Sequence, residues 1–420
     1  MRHHALLAAL AVAVMSAWSS VAAAADPVWV QMTGRGAEAR IATSAPACPA
    51  IQIDGKSAPM TERGPPSGDF PVRVCQASIP HGAKSASIDG HPLPLPIAAP
   101  RRIVIFGDTG CRLKGGDVQN CDDPAQWPFA QVARLAAAHH PDLVIHVGDY
   151  YYRESACPAG RAGCEGSPWG DNWTTWQADF FTPAAPLLAS APWVLVRGNH
   201  EDCARGGPGW FALLDSAPTP AACPATAAPM AIDLGGLDLY ILDSSGTDDR
   251  SAPPGLVASF AAQLDVLKAH PPTAPAWIVT HRPIWGLVPV ASVGPIGPLE
   301  IPINATEQAA ARERSLAGVQ MVVSGHIHHF AAISFHGPRP AQLIAGTGGD
   351  VGEPADTPRF IDGEVGIDGL DAHRFGFDRY GFLLLERQGA GWVGDFYDVR
   401  DKPIVHCRLA GRALNCAPNP

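Results

Sequence analysis

The residues of this chain that are equipped for chemistry keep falling at the same kind of place. Asp108 in "FGDTG", Asp149 in "VGDYYY", Asn199 and His200 in "RGNHE", His281 in "VTHRP", and His326 and His328 in "SGHIHH" each follow a run of apolar residues. Carboxylate, amide and imidazole groups with no thiolate among them suit iron, manganese or zinc better than soft metals or clusters. An aspartate can bridge two ions, and these ligands are too many for one four-coordinate zinc. The set therefore points to two metals. No single motif carries that reading, since a Gly-Asp pair after a strand is most often a turn. The weight lies in five such motifs, each closing an apolar strand. Within the last of them, two histidines two positions apart on an extended segment would point to the same side.

The elements that must position these residues are legible as strands and helices in alternation. "RIVIFGD", "DLVIHVGD" and "PWVLVRGN" read as buried strands, and "LDLYILDSS", "AWIVTHRP", "VQMVVSGH", "AQLIAGTGG" and "YGFLLLER" continue in the same manner. Between them, "AQWPFAQVARLAAAHH" places Phe129, Val132, Ala133 and Ala136 on one helical face. Strands alternating with helices argue for an α/β core with largely parallel, buried strands. In such sheets ligands gather outside the carboxyl ends of the strands, which is where the motifs lie.

Three of the chain's six tyrosines stand together behind Asp149. They are read either as aromatic packing at a strand edge or as a source of a phenol ligand. Tyr150 and Tyr152 share a face of an extended chain, so periodicity leaves the choice between them open. Other polar residues have plainer readings. His146 inside "LVIHV" is expected to be a satisfied core histidine. His329 faces away from His328, either lining the pocket or exposed. Arg197 and Arg282 flank ligand strands and are expected at the surface rather than on substrate. "DSSG" at 243–246 lacks the G-x-S-x-G elbow and reads as a strand end. "GTGGD" at 346–350 fits neither a P-loop nor a dinucleotide fingerprint and reads as a loop near the site.

At 420 residues and 46% hydrophobic the chain can bury a large core, and its 42 prolines and 43 glycines imply many loops. The formal charge of -10 argues against nucleic-acid or anionic-membrane partners. Residues 1–25 have a basic start, a short apolar run and small residues at Ala23 and Ala25, the pattern of a cleaved secretory signal peptide. No later stretch is apolar enough for a membrane span. An even count of ten cysteines in an exported chain favours disulfides, with pairing between sequence neighbours expected: 48–75, 111–121, 157–164, 203–223 and 407–416. Domain organisation is expected as a small β-rich unit at 26–100, a catalytic domain at 101–400 and a disulfide-closed tail at 401–420.

The ordered set "GDTG", "GDYYY", "GNHE", "THRP", "GHIH" resembles the calcineurin-like metallophosphoesterase superfamily, over about 102–330. The resemblance implies two mixed β-sheets packed as a sandwich flanked by helices, with a dinuclear centre that hydrolyses phosphate esters. Within the superfamily the purple acid phosphatases have a G-D-x-x-Y motif whose tyrosine binds ferric iron, and Tyr152 matches it. The resemblance thus implies Asp108, Asp149, Tyr152 and His328 on one metal, and Asn199, His281 and His326 with the bridging Asp149 on the other. The ions would be Fe(III) and a divalent Fe, Zn or Mn. Ferric iron suits a phenol, which otherwise keeps its proton up to about pH 10. Two cations would clamp the phosphoryl oxygens and supply hydroxide from bound water for in-line attack. His200 is the candidate to bind phosphate or to protonate the leaving group. The expected activity is hydrolysis of small phosphate monoesters outside the cytoplasm. A phosphodiesterase or nucleotidase on the same scaffold is the nearest alternative, and a non-catalytic metal- or phosphate-binding protein a more distant one. Substrate choice is expected to lie in loops at 153–175 and 286–305.

Overall fold

The computed structural model describes residues 26–292, 298–350 and 359–419; the expected signal peptide at 1–25 lies outside them. Each strand expected from the apolar runs is present. Arg102–Phe106, Leu143–His146 and Trp193–Leu195 pair in parallel at the centre of one sheet. Asp238–Ile241, Ala276–Val279, Val319–Ser324 and Ala341–Ala345 pair in parallel in a second. Further strands, most of them antiparallel, complete both, giving eleven strands in the first sheet and eight in the second.

The alternation of side chains in these strands builds a sandwich. Ile103 and Ile105 turn inward to meet Val279, Met321 and Val323 of the facing sheet, while Val104 and Phe106 turn outward. Outward residues of the first sheet are covered by the helices Phe129–Ala138 and Thr182–Leu188. Those of the second are covered by Pro254–Leu264 and Ala305–Arg312. The helix face read from the sequence is the buried one: Phe129, Val132, Ala133 and Ala136 are all inside. Two buried sheet faces explain why the central strands are apolar throughout rather than alternating with polar residues.

Residues 26–100 are β-rich, and strands among them join the first sheet. Val28–Thr33 runs parallel to Trp193–Leu195, and Gly36–Thr43 and Arg73–Ile79 extend the same sheet from it. At the opposite edge Pro403–Ala410 and Ala413–Pro418 continue that sheet. Only Ala50–Ile53, Lys56–Pro59, Ala86–Ile88 and His91–Pro92 form a small sheet of their own.

All ten cysteines pair as sequence neighbours: Cys48–Cys75, Cys111–Cys121, Cys157–Cys164, Cys203–Cys223 and Cys407–Cys416. Among the described residues no helix is long and apolar enough to cross a membrane.

Candidate metal centre

The strands of both sheets end at one place, and there the backbone turns sharply. Asp108, Asp149 and His326 each take a left-handed conformation, with φ of 58°, 58° and 69°. Non-glycine residues rarely do this, and such strain collects where a site needs it. The extended geometry expected for "GHIHH" is therefore not what forms. His326 sits in a turn, and its neighbour His328 faces a different partner: Asp149, His281 and His326 converge as one group, and Asp108, Asp149 and His328 as another. Within each group the ligand atoms lie inside 4.8 Å of one another, and Asp149 belongs to both.

Tyr152 joins the second group. Its hydroxyl lies 2.8 Å from Asp149 Oδ2, 3.1 Å from Asp108 Oδ1 and 2.9 Å from His328 Nε2. The other two tyrosines are packing. Tyr150 stacks on His146 at 4.0 Å between ring centroids, and Tyr151 stacks on Trp176 at 6.3 Å. Asn199 joins the first group through Oδ1, 2.9 Å from His281 Nε2. The far nitrogen of that ring, Nδ1, lies 2.8 Å from the Val147 carbonyl, which makes it the donor and turns Nε2 toward Asn199 and Asp149.

This donor set fits metal ions. Around the Tyr152 hydroxyl, two carboxylate oxygens and an imidazole nitrogen compete for a single proton, so at most one of them is satisfied by it. Around His281 Nε2, an amide oxygen and a carboxylate oxygen face a ring nitrogen with at most one proton. Buried lone pairs crowded in this way are stabilised by cations. The charges agree. Burial opposes the Asp149 carboxylate, but the imidazoles of His281 and His200 outweigh it and hold its pKa well below the usual range. Burial lowers the His281 pKa, and the Asp149 carboxylate more than reverses this, raising it to about 9. Burial and the carboxylates of Asp149 and Asp108 push the Tyr152 phenol well above its ordinary value. Neutral phenol is therefore the resting state until a strong Lewis acid takes the proton's place.

A model of the calcineurin-like phosphoesterase family matches residues 101–330, more than half of the chain. The chain belongs to the calcineurin-like phosphoesterases. Family and donor set together imply divalent metal ions at this centre. In fold, this phosphoesterase is similar to the purple acid phosphatase PPD1 from yellow lupin (Lupinus luteus) seeds. The two share 14% identity at a TM-score of 0.52, over 94% of this chain and 74% of that one. It is similar also to PhoD, with 10% identity and a TM-score of 0.54 over 94% of this chain and 92% of that one. No curated protein matches its sequence.

The phosphoesterase's supporting groups were not singled out from sequence. Glu201, directly after His200, is fully buried and accepts N–H bonds from Asp149, Tyr150, Tyr151 and Gly198 at 2.9–3.1 Å. One carboxylate thus ties together the turns that carry Asp149 and Asn199. Asp179, on the widened helical turn Gln177–Phe181, accepts the Tyr152 N–H at 2.9 Å and the Cys111 N–H at 3.1 Å. His328 has Asp350 of the "GTGGD" loop 3.8 Å from Nδ1, and Arg112 grips that same carboxylate. His326 Nε2 lies 3.2 Å from Asp249. The His200 ring lies tilted over Tyr152, with centroids 4.0 Å apart, and its Nδ1 is 2.5 Å from Glu154 Oε1.

The two arginines expected at the surface are inside. Arg197 pairs with Asp243 at 3.1 Å and donates to the Glu201 carbonyl at 2.8 Å. Arg282 pairs with Asp249 at 2.7 Å and donates to the Ser244 and Ser245 carbonyls. Both brace the "DSSG" segment, whose Ser244 hydroxyl accepts the Arg282 N–H at 2.8 Å. His146 is the satisfied core histidine expected, with Nε2 3.0 Å from the Thr109 hydroxyl. His329 is buried, and burial with the nearby cations Arg374 and His328 pushes its pKa down to about 3.

Behind Arg282, Glu307 is buried against the Thr247 hydroxyl, and burial raises its pKa from 4.5 to about 7. Its folded pKa exceeds its unfolded one, so its contribution to stability is complete below pH 4.5 and is lost as pH rises through about 7. Glu307→Gln should therefore raise the urea midpoint at pH 8, by about 1–3 kcal/mol in stability, with the gain fading toward pH 4.5. An equal shift at both pH values would trace the effect to packing instead of titration.

Proposed function

We propose that this chain is an exported phosphatase with a two-metal centre, hydrolysing phosphate monoesters in the manner of the purple acid phosphatases. The observation that carries the reading is the sharing of Asp149 between two converging donor groups. Asp108, Asp149, Tyr152 and His328 would hold one ion, ferric iron; Asn199, His281, His326 and Asp149 would hold a divalent Fe, Zn or Mn. Such ions polarise phosphoryl oxygens and make water nucleophilic near neutral pH. Five disulfides support export, since they persist in oxidising compartments.

In the reaction, a P–O bond to water's oxygen forms as the P–O bond to the ester oxygen breaks, yielding an alcohol and inorganic phosphate. His200 is assigned to give the departing oxygen its proton. Its ring is fixed by Glu154 on one nitrogen and by Tyr152 on one face, with Nε2 turned toward Asp149 at 3.9 Å. His200→Ala should lower kcat by about 10²- to 10⁴-fold with metal content unchanged. Loss of metal in that variant would make the residue structural.

The test of the whole reading is a visible spectrum of natively purified protein, with metal analysis of the same sample. A broad tyrosinate-to-iron band that disappears in Tyr152→Phe is expected, alongside turnover of a simple aryl phosphate. A colourless protein with two equivalents of zinc or manganese would remove the iron and keep the hydrolase. Absence of both bound metal and turnover would end the proposal.

A further inference from the structure

Beside the metal centre lies a cleft of about 790 Å³ whose lining includes His326 and His328 themselves. One wall is aliphatic, with Val288, Ile301, Pro302 and Ile303 from one hairpin and Ile327 from between the two histidines, while Asp249, Arg250 and Gln308 add polar groups to the lining. The hairpin pairs Gly286–Ser292 with Pro298–Ile303 and stands apart from both large sheets. Its base is clamped. Asn304 donates its side-chain amide to the Pro283 carbonyl at 2.7 Å and its backbone N–H to the Asp249 carbonyl at 2.7 Å. Val288 and Ile303 pack on the buried cluster of Ile327, Ala331 and Ile344, so the wall is anchored in the core. At the rim, Ile301 is 44% exposed, one of four exposed large hydrophobic side chains among the described residues.

Phosphate itself is polar and needs no such wall. An apolar surface that begins at two candidate metal ligands is suited to the part of the substrate that is not phosphate. We propose that this cleft receives the organic group of the ester, and that it selects aryl or branched alkyl esters over small polar ones. The inference rests on the phosphatase reading for its placement of the phosphoryl group at the metal centre. Burial of the apolar group against the hairpin supplies the preference, since apolar area removed from water is stabilising in proportion to its extent.

The test uses two hydrolysis-resistant probes, phenylphosphonate and methylphosphonate, whose binding to the metal-loaded protein is measured by calorimetry. Turnover of phenyl phosphate is measured in parallel. Phenylphosphonate should bind at least about tenfold more tightly, and Val288→Ser with Ile301→Ser should bring the two affinities together. Because Ile301 is exposed, Ile301→Ser alone provides a variant with an intact fold, in which the preference should shrink partway. Equal binding of the two probes by the wild type, with turnover intact, would overturn the cleft assignment alone. A preserved preference without turnover would overturn the hydrolytic reading and leave the cleft standing. Failure to bind either probe would overturn both.

Discussion

Asp149→Asn should cut bound metal to half of the wild-type content or less and lower phosphoesterase activity by about 10³-fold or more. The size of the effect comes from position. Asp149 is the residue that the two donor groups have in common, so a change there reaches both groups at once. Its Oδ2 atom faces the Tyr152 hydroxyl at 2.8 Å and His281 Nε2 at 3.1 Å, and Oδ1 accepts the His200 N–H at 2.9 Å. Asparagine keeps the shape but removes the charge, and one of its two positions becomes a donor. If the N–H bond to Oδ1 is retained, the new amide group must point at Tyr152 and His281, where a cation is expected. Asp149 is 1% exposed, so the variant must be checked for folding by near-ultraviolet circular dichroism before metal is counted. Full metal content retained, with activity within tenfold of the wild type, would remove Asp149 from the shared position.

How far the centre could be read from sequence depended on the kind of residue. Asp108, Asp149, Asn199, His281, His326 and His328 were visible because a polar group closing an apolar strand is a local signal, readable within a few positions. Tyr152 was separable from Tyr150 only by family spacing, and the reason is now physical. The chain behind Asp149 is not an extended strand, so two-residue periodicity did not apply; Tyr150 turns into the aromatic cluster around His146 while Tyr152 reaches the carboxylates. The supporting carboxylates carried no local signal at all. Asp179 acts on Tyr152 from 27 positions away, and Asp350 and Arg112 meet across 238. Arg197 and Arg282 were misplaced because a charged residue is rarely buried unless paired, and their partners Asp243 and Asp249 lie on a different strand end. The pairing of Gln31 with Trp193, which joins the β-rich segment 26–100 to the central strands, is a long-range contact that no local pattern announces.

Gly198→Ala should abolish most activity although it adds only a single methyl group. Gly198 has an ordinary extended backbone, φ -90° and ψ 176°, so alanine meets no conformational objection there. The obstacle is space. A Cβ at this position would stand 2.0 Å from Asp149 Oδ1, 2.2 Å from the Asp149 backbone nitrogen and 2.7 Å from Glu201 Oε2. Neither neighbour can yield cheaply, because Glu201 is held by four backbone N–H groups and the Asp149 turn is one of the things it holds. The turn must move, and a displacement near 1 Å at a catalytic centre lowers rates by about 10²-fold. Overpacking should also cost about 1–3 kcal/mol of stability. Gly255→Ala offers the matching control: it lies in the helix Pro254–Leu264 with nothing within 4 Å of an added Cβ. There the same methyl group should stabilise, by up to about 1 kcal/mol, and leave turnover untouched. If Gly198→Ala keeps wild-type kcat and metal content, the close approach of the Asn199 and Asp149 turns is not what positions this centre. If it loses activity while Gly255→Ala does not, the absence of a side chain at residue 198 is as much a part of the site as Asn199 beside it.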